Sequence, residues 1–410
     1  MPNEFFGGLD FGTSGTRISI INLKKELIYS NSFAYEYGFT NPKSWIDACE
    51  KLLNNLPPNI KSNLNKLAIS GTSGTLTACD LRGDPLGEAI PYDQACNDHK
   101  ILLELMAAGE DHLQTPYSSL AKALKLIDKY GEDILLRHQS DWINGWLLKD
   151  WRYGEEGNNI KLGWDLIKES WPKSYLYTSW QKCLPQIIKS GKVMGKIDSG
   201  LAEILKLNKK IIIISGTTDS NAAFLSAGLN KEEGLTVLGT TIVVKKIINN
   251  PIKEKGITTH RVCGDWICGG ASNAGCGILS KLFSDLEIEE LSKQINTSKK
   301  TSLNLLPLNS RGERFPINNP FLEPILGPRP VSDSLYLHAL FEGLARIELK
   351  GWEKINELTG SYPKKIITIG GGARNPHWRR IREKVIKIPI VSCKKSTSFG
   401  TALLAMNAQN

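Results

Sequence analysis

The sequence has few of the residues that would mark a metal-binding, secreted or membrane-spanning protein. Its eight cysteines include no C-x₂-C pair and its six histidines form no metal-ligand pattern, so zinc is not indicated and reduced thiols are expected. No apolar run is long enough to cross a membrane, and residues 1–6 lack the basic segment of a signal peptide. These absences predict a cytoplasmic protein without a membrane partner.

Acidic residues are also in deficit, since 42 of them face 51 lysines and arginines, for a net charge of +9. The lysines lie in scattered pairs without a concentrated tract, which is typical of a solvated surface and predicts no nucleic-acid partner. The densest cluster, at 379–382, is either part of that surface or a contact for phosphate or an acidic partner. With 41% hydrophobic residues over 410 positions, two or three domains are expected. Both a monomer and a homodimer remain open.

The sequence does contain an acidic residue just before a glycine-rich turn, in residues 7–17 (GGLDFGTSGTR). Apolar strand patterns on both sides predict a tight hairpin turn at 12–15. Glycine lets the backbone approach an anion with its N–H groups pointing inward, and Asp10 would hold Mg²⁺ beside the phosphates. The predicted ATP-binding residues of this turn are Gly12, Thr13, Ser14 and Thr16. For this motif alone, a purely structural hairpin is the alternative.

The chain repeats this pattern downstream, where the apolar strand 235–238 meets a Gly-Thr turn and the β-branched return strand 242–248. Two such hairpins suggest two related halves that face each other across a cleft, with a nucleotide clamped between the turns. The second set of predicted ATP-binding residues is Gly239, Thr240 and Thr241.

A third glycine-rich segment follows the apolar strand 366–369 and precedes the helical pattern 377–387. A strand, a glycine run and a helix start form a nucleotide-binding turn in α/β proteins, although the spacing is not that of the dinucleotide fingerprint. Adenine or ribose is the predicted ligand of Gly371, Gly372 and Asn375. A loop that merely ends a strand is the alternative.

These three segments, in this order, resemble the FGGY family of carbohydrate kinases, within the sugar kinase, heat-shock protein and actin superfamily. Three further stretches carry the resemblance, namely Leu-Pro…Gly-Glu-Arg-x-Pro in 306–316, Phe-Glu-Gly-Leu-Ala at 341–345 and Gly-Thr-Thr-Asp-Ser-Asn-Ala-Ala at 216–223. Within the family, the chain is most similar to the compact cyanobacterial and plant-type D-ribulose kinases, which are xylulokinase-like.

The resemblance implies an α/β fold of two actin-like (ribonuclease H-like) domains with a central cleft. It implies an N-terminal, sugar-binding domain at 1–228 that is rejoined by a C-terminal helix at 397–410, and a nucleotide-binding domain at 229–396. ATP and Mg²⁺ are the implied cofactors, with Asp10 and Asp219 as the implied metal ligands.

Asp219 is the residue on which the predicted mechanism depends. The pattern predicts a buried strand at 210–214, a turn at 215–218 and a helix at 220–228, which puts Asp219 at the carboxyl end of a strand. From the residues alone, a helix N-cap is the alternative for this aspartate. The resemblance implies a general base that accepts the proton of the acceptor hydroxyl as its oxygen attacks the γ-phosphorus.

The acceptor site departs from better-known family members. Thr72 and Ser73 stand where glycerol kinases have an Arg-Glu pair and xylulokinases a Met-His pair. Their hydroxyls either bind a polyol or form a structural turn. Asp93 matches the aspartate of the family's Trp-x-Asp-x-Arg motif, whose arginine is absent here. These three residues, with Asp10 and Asp219, are the predicted substrate-binding residues.

The resemblance makes D-ribulose the expected small-molecule substrate, phosphorylated to D-ribulose 5-phosphate. D-xylulose or another sugar or polyol is the alternative, because no motif in the sequence distinguishes epimers. A non-catalytic sugar sensor and an actin-like ATPase remain as hypotheses from other classes. The retained Asp10 and Asp219 argue against the sensor, and the Gly-Glu-Arg-x-Pro stretch argues against the ATPase.

The remaining patterns describe the rest of the fold. Residues 4–35 predict three strands, and the later alternation of helices and strands is typical of a mostly parallel sheet flanked by helices. The tryptophan-rich stretch 118–171 has a helical period, 309–329 predicts a long ordered loop, and 399–406 predicts a small apolar helix.

Overall fold

A computed structural model describes residues 4–98, 100–101 and 113–408 of the chain. Contacts within that part group the residues into two units, each with its own sheet and apolar core. The first unit comprises the residues up to Ser226, the segment Arg261–Gly264 and the residues from Lys395 onward, and the second comprises Ala227–His260 and Asp265–Lys394. No helix in the described ranges is both long and apolar enough to span a bilayer.

Within the described residues, ten strands precede the second unit. They are β1 (Phe5–Phe11), β2 (Gly15–Asn22), β3 (Leu27–Ala34), β4 (Leu64–Gly71), β5 (Leu76–Cys79), β6 (Leu135–His138), β7 (Tyr153–Glu155), β8 (Gln186–Ile188), β9 (Val193–Lys196) and β10 (Ile212–Thr218). Six of them form one sheet in the order β3-β2-β1-β4-β10-β9. β1 and β4 are buried almost throughout, as expected for central strands, whereas β3 alternates and lies at an edge.

The α-helices of the first unit whose bounds lie within the described residues and precede the second unit are numbered in chain order. They are α1 (Pro42–Asn54), α2 (Pro58–Asn63), α3 (Ser119–Tyr130), α4 (Gln139–Leu148), α5 (Glu156–Asn159), α6 (Ser199–Ile204) and α7 (Asp219–Ser226). α1 begins where the side chain of Asn41 accepts the N–H of Lys43, and its Trp45 is fully buried in the core. The three strands predicted in residues 4–35 are confirmed as β1, β2 and β3.

The second unit is built on another six-stranded sheet. Its strands are β11 (Glu233–Leu238), β12 (Ile242–Ile248), β13 (Ile257–Val262), β14 (Asp265–Ala271), β15 (Lys365–Ile369) and β16 (Ile390–Ser392). Its helices are α8 (Cys276–Leu282), α9 (Asp285–Lys293), α10 (Asp333–Thr359) and α11 (Pro376–Ile386). A buried ion pair joins α10 to α11, since Arg382 Nε and Nη2 donate to the Glu348 carboxylate over 2.6 and 2.7 Å. The arginine cluster at 379–382 therefore includes one member whose acidic partner lies within the chain.

The two sheets repeat one topology over five strands. In the first, β1 pairs antiparallel with β2 and parallel with β4, and β10 continues the parallel set. In the second, β11 pairs antiparallel with β12 and parallel with β15, and β16 continues the parallel set. The strand orders β3-β2-β1-β4-β10 and β14-β12-β11-β15-β16 are thus equivalent, which explains the repeated hairpin pattern in the sequence.

The last helix, α12 (Thr397–Asn407), belongs to the first unit. It packs against β1, β2, β4, β10 and α7. Two glycines allow the close approach: a Cβ on Gly8 would clash with the backbone of Ser398 and Ala402, and a Cβ on Gly400 would clash with the backbone of Ala222. α12 therefore contacts both the strand that carries Asp10 and the helix that begins at Asp219.

Two local predictions were wrong. Residues 215–218 form the end of β10, not a turn, because their backbone pairs with β4 at Ser70 and Gly71. The stretch 118–171 is not helical throughout, since β6 and β7 lie between its helices. Residues 309–329 form the predicted ordered loop, which isolated bridges connect to its surroundings.

Candidate active site

Of the four predicted residues in the turn between β1 and β2, two are exposed and two form bonds that hold the turn. The Gly12 N–H donates to the Gly15 carbonyl over 3.0 Å, and the Tyr35 hydroxyl donates to the Gly12 carbonyl over 3.0 Å. Thr16 is buried and its hydroxyl bonds to that of Tyr35. Thr13 and Ser14 are exposed, so their polar groups are the ones that the turn presents to a ligand.

Asp10 lies at the end of β1, in register with Ser70 of β4. The Ser70 hydroxyl donates to Asp10 Oδ1 over 2.9 Å and also lies 2.8 Å from the hydroxyl of Thr401 in α12. The pKa of Asp10 is raised to about 7, chiefly by burial and to a lesser extent by the charge of Asp219, while the Ser70 hydrogen bond and the charge of Arg17 act in the opposite direction. Asp10 and Asp219 are therefore close enough to repel each other.

Asp219 is the first residue of α7, directly after β10. Its Oδ1 accepts the N–H of Ser220 over 2.6 Å, whereas the hydroxyl of Thr218 accepts the N–H of Asn221. Thr218 thus makes the capping bond one residue earlier. The simple N-cap interpretation of Asp219 does not account for its position.

The donor set of Asp10 and Asp219 fits a magnesium ion. Mg²⁺ is commonly held by one or two carboxylates together with phosphate oxygens and water. Within the described residues, no group of three or more His, Cys, Asp or Glu side chains is placed to hold a metal. A metal at this position would therefore take its remaining ligands from a nucleotide and from water.

Thr72 has a structural role in the turn after β4. Its N–H and hydroxyl both donate to Gln139 Oε1, over 3.0 and 2.9 Å, and its hydroxyl lies 2.7 Å from that of Thr75. Thr72 is also 3% exposed, so of the two predicted interpretations the structural turn is the one its bonds favour. Ser73 is half-buried and its carbonyl accepts Lys161 Nζ over 2.8 Å.

Lys161 is a candidate site residue that sequence reasoning missed. It lies in the 3₁₀ turn Ile160–Leu162, where no motif distinguishes it from other lysines. Burial lowers its pKa, and the charge of Asp219 acts in the opposite direction. Burial raises the pKa of Tyr92, and the charges of Asp93 and Asp219 act in the same direction. Asp93, next to Tyr92, is exposed.

The second and third glycine turns line one cavity of about 660 Å³ within the second unit. Its walls include Gly239, Thr240, Gly371, Gly372 and Asn375 among the predicted residues. Thr241 is not among them. Sequence reasoning missed the wall that comes from α8, α9 and α10, which includes Cys276, Ser292 and Phe341.

Backbone bonds hold the second turn against the start of α8. The N–H of Cys276 donates to the Gly239 carbonyl over 2.8 Å, and that of Gly277 donates to the Thr240 carbonyl over 3.1 Å. The Thr240 side chain is exposed. The turn is therefore rigid, while one hydroxyl stays accessible at the cavity wall.

The third turn needs its glycines. Gly370 has φ = +96°, which favours glycine, and a Cβ on Gly372 would lie 2.5 Å from the Trp378 ring and 2.9 Å from Cys276 Sγ. A Cβ on Gly371 would meet nothing within 4 Å. Asn375 caps α11, because its Oδ1 accepts the N–H groups of His377 and Trp378.

Asn375 also donates from Nδ2 to Ser292 Oγ over 2.8 Å. The amide therefore joins α9 to α11, and its second Nδ2 hydrogen is the one left for a ligand in the cavity. Glu313 of the Gly-Glu-Arg-x-Pro stretch has a comparable structural role. Its carboxylate accepts from the Ser272 hydroxyl over 2.6 Å and from the Asn273 N–H over 2.8 Å, which fixes the loop to the end of β14.

A separate cavity of about 970 Å³ lies in the first unit beside Trp142, Trp146 and Trp151. None of the predicted site residues lines it. Trp142 and Trp146 are buried, and their indole rings belong to the apolar core. The cavity is larger than the glycine-lined one but lacks its backbone chemistry.

Comparisons with known proteins agree with this geometry. Residues 234–409 match the sequence profile of the FGGY family of carbohydrate kinases, C-terminal domain. A xylulose kinase from Haemophilus influenzae is 23% identical over an alignment that covers 97% of this chain and 90% of that protein.

Two solved structures show the fold. Xylulose kinase from Rhodospirillum rubrum has a TM-score of 0.84 at 19% identity, covering 98% of this chain and 89% of that one. Glycerol kinase from Plasmodium falciparum with ADP has a TM-score of 0.80 at 18% identity, with the same coverage of 98% and 89%. The predicted fold class, two actin-like α/β domains, is thereby confirmed. Over residues 234–409 the chain thus matches the C-terminal domain of the FGGY family of carbohydrate kinases.

Proposed function

We propose that the chain transfers the γ-phosphoryl group of ATP to a hydroxyl of a ketopentose, with D-ribulose as the first candidate acceptor and D-xylulose as the second. The observation that carries this proposal is the pair of carboxylates in the first unit. Asp10 lies near the end of β1 and Asp219 directly follows β10, the two strands that flank β4, and each lies within the electrostatic influence of the other. Paired acids at strand ends suit metal-assisted phosphoryl transfer.

The cavity of the second unit supports ATP as the donor. Backbone N–H groups of a glycine run and the start of a helix are suited to a nucleotide, and α11 begins directly after this run. We assign adenine or ribose to Gly371, Gly372 and Asn375. Phosphate contacts are assigned to the exposed Thr13 and Ser14 in the first unit and to Gly239 and Thr240 in the second. The other predicted turn residues, Gly12, Thr16 and Thr241, are assigned a structural part in the turns.

The acceptor contacts are assigned to the first unit. Because the Thr72 hydroxyl already bonds to Gln139 and Thr75, we propose that Thr72 shapes the turn while Ser73 and Lys161 face the sugar. Asp93 is exposed and close to Tyr92, and it is a further candidate for a sugar hydroxyl. The ammonium group of Lys161 can donate to sugar oxygens, which are acceptors.

Asp219 is the proposed general base. It accepts the proton of the acceptor hydroxyl, the hydroxyl oxygen forms a bond to the γ-phosphorus, and the bond from phosphorus to the β,γ-bridging oxygen breaks to release ADP. Such a base contributes about 10²–10⁴-fold in rate. Mg²⁺, when bound by Asp10 and Asp219, would neutralise the charge of the phosphate oxygens.

The experiment that tests the proposal measures ADP release with Mg-ATP across ketopentoses, aldopentoses, polyols and glycerol. We expect stimulation by D-ribulose, and a loss of about 10³-fold in Asp219→Asn. Asp133→Asn is the matched control, because this exposed aspartate pairs only with Lys182 at the surface.

The other outcomes separate the alternatives. Stimulation by D-xylulose in place of D-ribulose would keep the kinase proposal and correct the acceptor. Hydrolysis of ATP at the same rate with every sugar would favour an ATPase, and sugar binding without ADP release would favour a sensor. An Asp219→Asn variant with full activity would refute the assignment of the base.

A further inference from the structure

We infer that α12 positions the Asp10 carboxylate through a relay of two buried hydroxyls, Thr401 and Ser70. The inference rests on the proposed function, since it assigns positioning residues to the same site. Ser70 Oγ lies 2.9 Å from Asp10 Oδ1 and 2.8 Å from Thr401 Oγ1. Both hydroxyls are fully buried. The contact joins residues that are 331 positions apart in the chain.

The direction of the relay follows from the proton count. A hydroxyl has one proton, and the Asp10 carboxylate accepts the proton of Ser70 when it is ionised. The Thr401 hydroxyl has two acceptors for its one proton, Ser70 Oγ at 2.8 Å and the Thr397 carbonyl at 3.1 Å. The shorter bond forms with an ionised Asp10 only when Thr401 donates to Ser70. Thr401 thereby leaves Ser70 with one well-placed acceptor for its own proton, which is Asp10.

Without the bond from Thr401, the Ser70 hydroxyl could turn toward a second acceptor that is present in either case. The carbonyl of Leu9 lies 3.4 Å from Ser70 Oγ. Within the described residues, the partners of this hydroxyl are Leu9, Asp10 and Thr401. Burial keeps water from replacing a lost bond. The proton of Ser70 would then divide its time between Asp10 and Leu9, and the carboxylate would lose its fixed orientation.

The packing of α12 makes the relay stiff. Gly8 lies two residues before Asp10 and accepts the close approach of Ser398 and Ala402. Gly400, next to Thr401, packs on the backbone of α7. Because neither contact leaves room for a side chain, Thr401 has little freedom to move away from Ser70.

The test compares three variants of α12. Thr401→Val keeps the shape and removes the hydroxyl, and we expect it to lower kcat about tenfold with little change in the KM for sugar. Thr401→Ser restores the hydroxyl and should restore kcat. Ser398→Ala is the matched control, because Ser398 is equally buried in the same helix but bonds to Ser19 and Ser396.

A second measurement does not depend on turnover. Electron paramagnetic resonance of free Mn²⁺ gives the affinity of the protein for Mn²⁺ in the presence of ADP. We expect a loss of about threefold to tenfold in both Thr401→Val and Ser70→Ala, and no additional loss in the double variant, since both act through Asp10.

The outcomes are distinguishable. If the wild-type protein phosphorylates no sugar, the proposed function fails, while the Mn²⁺ titration still tests the relay. Equal losses in Thr401→Val and Ser398→Ala would show that the helix acts only by packing and would overturn the inference. Failure of Thr401→Ser to recover, or additive losses in the double variant, would overturn it as well.

Discussion

The two sheets share strand order and direction, yet their equivalent turns differ in charge. In the first unit Asp10 stands two residues before Gly12, and in the second unit Val237 stands two residues before Gly239. A second acid, Asp219, follows β10, whereas no acid of that kind ends the parallel strands of the second sheet. One backbone plan thus carries two different kinds of site, and the few residues after each strand decide which.

The buried acids of the two units also differ in the charge of their hydrogen-bond partners. Glu348 in the second unit accepts two hydrogen bonds from the guanidinium of Arg382 and one from the hydroxyl of Thr236. Asp10 in the first unit has the neutral hydroxyl of Ser70 as its hydrogen-bond partner. Loss of one partner from a buried ion pair destabilises the fold, whereas an acid facing a neutral partner and a second acid costs stability and suits a ligand.

The largest expected effect on stability comes from substitution of Glu348, the acid paired with Arg382. Glu348→Gln leaves the buried Arg382 without a charged partner, so the free energy of unfolding should fall by about 3 kcal/mol. Urea unfolding measures it. Glu357→Gln is the control, because Glu357 lies in the same helix but pairs with Lys354 at the surface. Similar losses in both variants would contradict the contrast between paired and surface acids.

Removing the charge of Asp10, the buried acid of the first unit, should change the stability in the opposite direction. Asp10 keeps its proton up to about pH 7 in the folded protein but only to about pH 4 when unfolded, so the folded state binds more protons between these values. Stability should therefore fall as the pH rises from 4 to 7. In metal-free buffer at pH 8, Asp10→Asn should be more stable than the wild type by about 2 kcal/mol. The difference should vanish near pH 4.

Thermal unfolding of both proteins across this pH range measures the effect. An Asp10→Asn variant that is less stable than the wild type at pH 8 would show that the carboxylate is paired in the folded state. The contrast with Glu348 would then be lost.

The glycines of the second unit offer a finer comparison. Gly372→Ala places a methyl group against Trp378 and Cys276, and should lower the free energy of unfolding by about 1–3 kcal/mol. Gly371→Ala meets no neighbouring atom, so stability should change little, while ADP affinity falls because the methyl group enters the space proposed for the nucleotide. Calorimetric titration with ADP checks this. Unchanged affinity in Gly371→Ala would remove Gly371 from the nucleotide site.

The smallest effect is expected at Lys161. Lys161→Met removes a cation beside Asp219 and Ser73, and should raise the KM for sugar by about fivefold, with a smaller change in kcat. Steady-state kinetics with the preferred ketopentose measures it. Lys168→Met is the control, since Lys168 pairs with Asp165 at the surface. A change in kcat alone would place Lys161 in the chemical step instead of sugar binding.

Much of the fold was predictable because hydrophobic periodicity is local. The strands around 12–15 and 239–241 and the helix after Asn375 were predicted within one or two residues. The error at 215–218 has a physical cause: Gly-Thr-Thr reads as a turn locally, but the parallel partner β4 pairs with it and extends the strand. Tertiary pairing overrode local preference.

The candidate site was less predictable than the fold. Asp10 and Asp219 stand in recognisable motifs, but the partners that orient them come from distant parts of the chain, as Thr401 does for Ser70. Lys161 belongs to no motif, and only the fold brings its ammonium group to Ser73. The bonds of Thr72 to Gln139 were likewise invisible, since spacing says nothing about a partner 67 residues away.

The position of α12 in the chain has a consequence for synthesis. β1 leaves the ribosome before any element of the second unit, yet the helix that covers it at Gly8 is translated only after the whole of that unit. During translation the surface that α12 will cover stays open, while the second unit can already fold. A nascent chain released before residue 397 would carry both aspartates but would lack the element that brings β1 and α7 together.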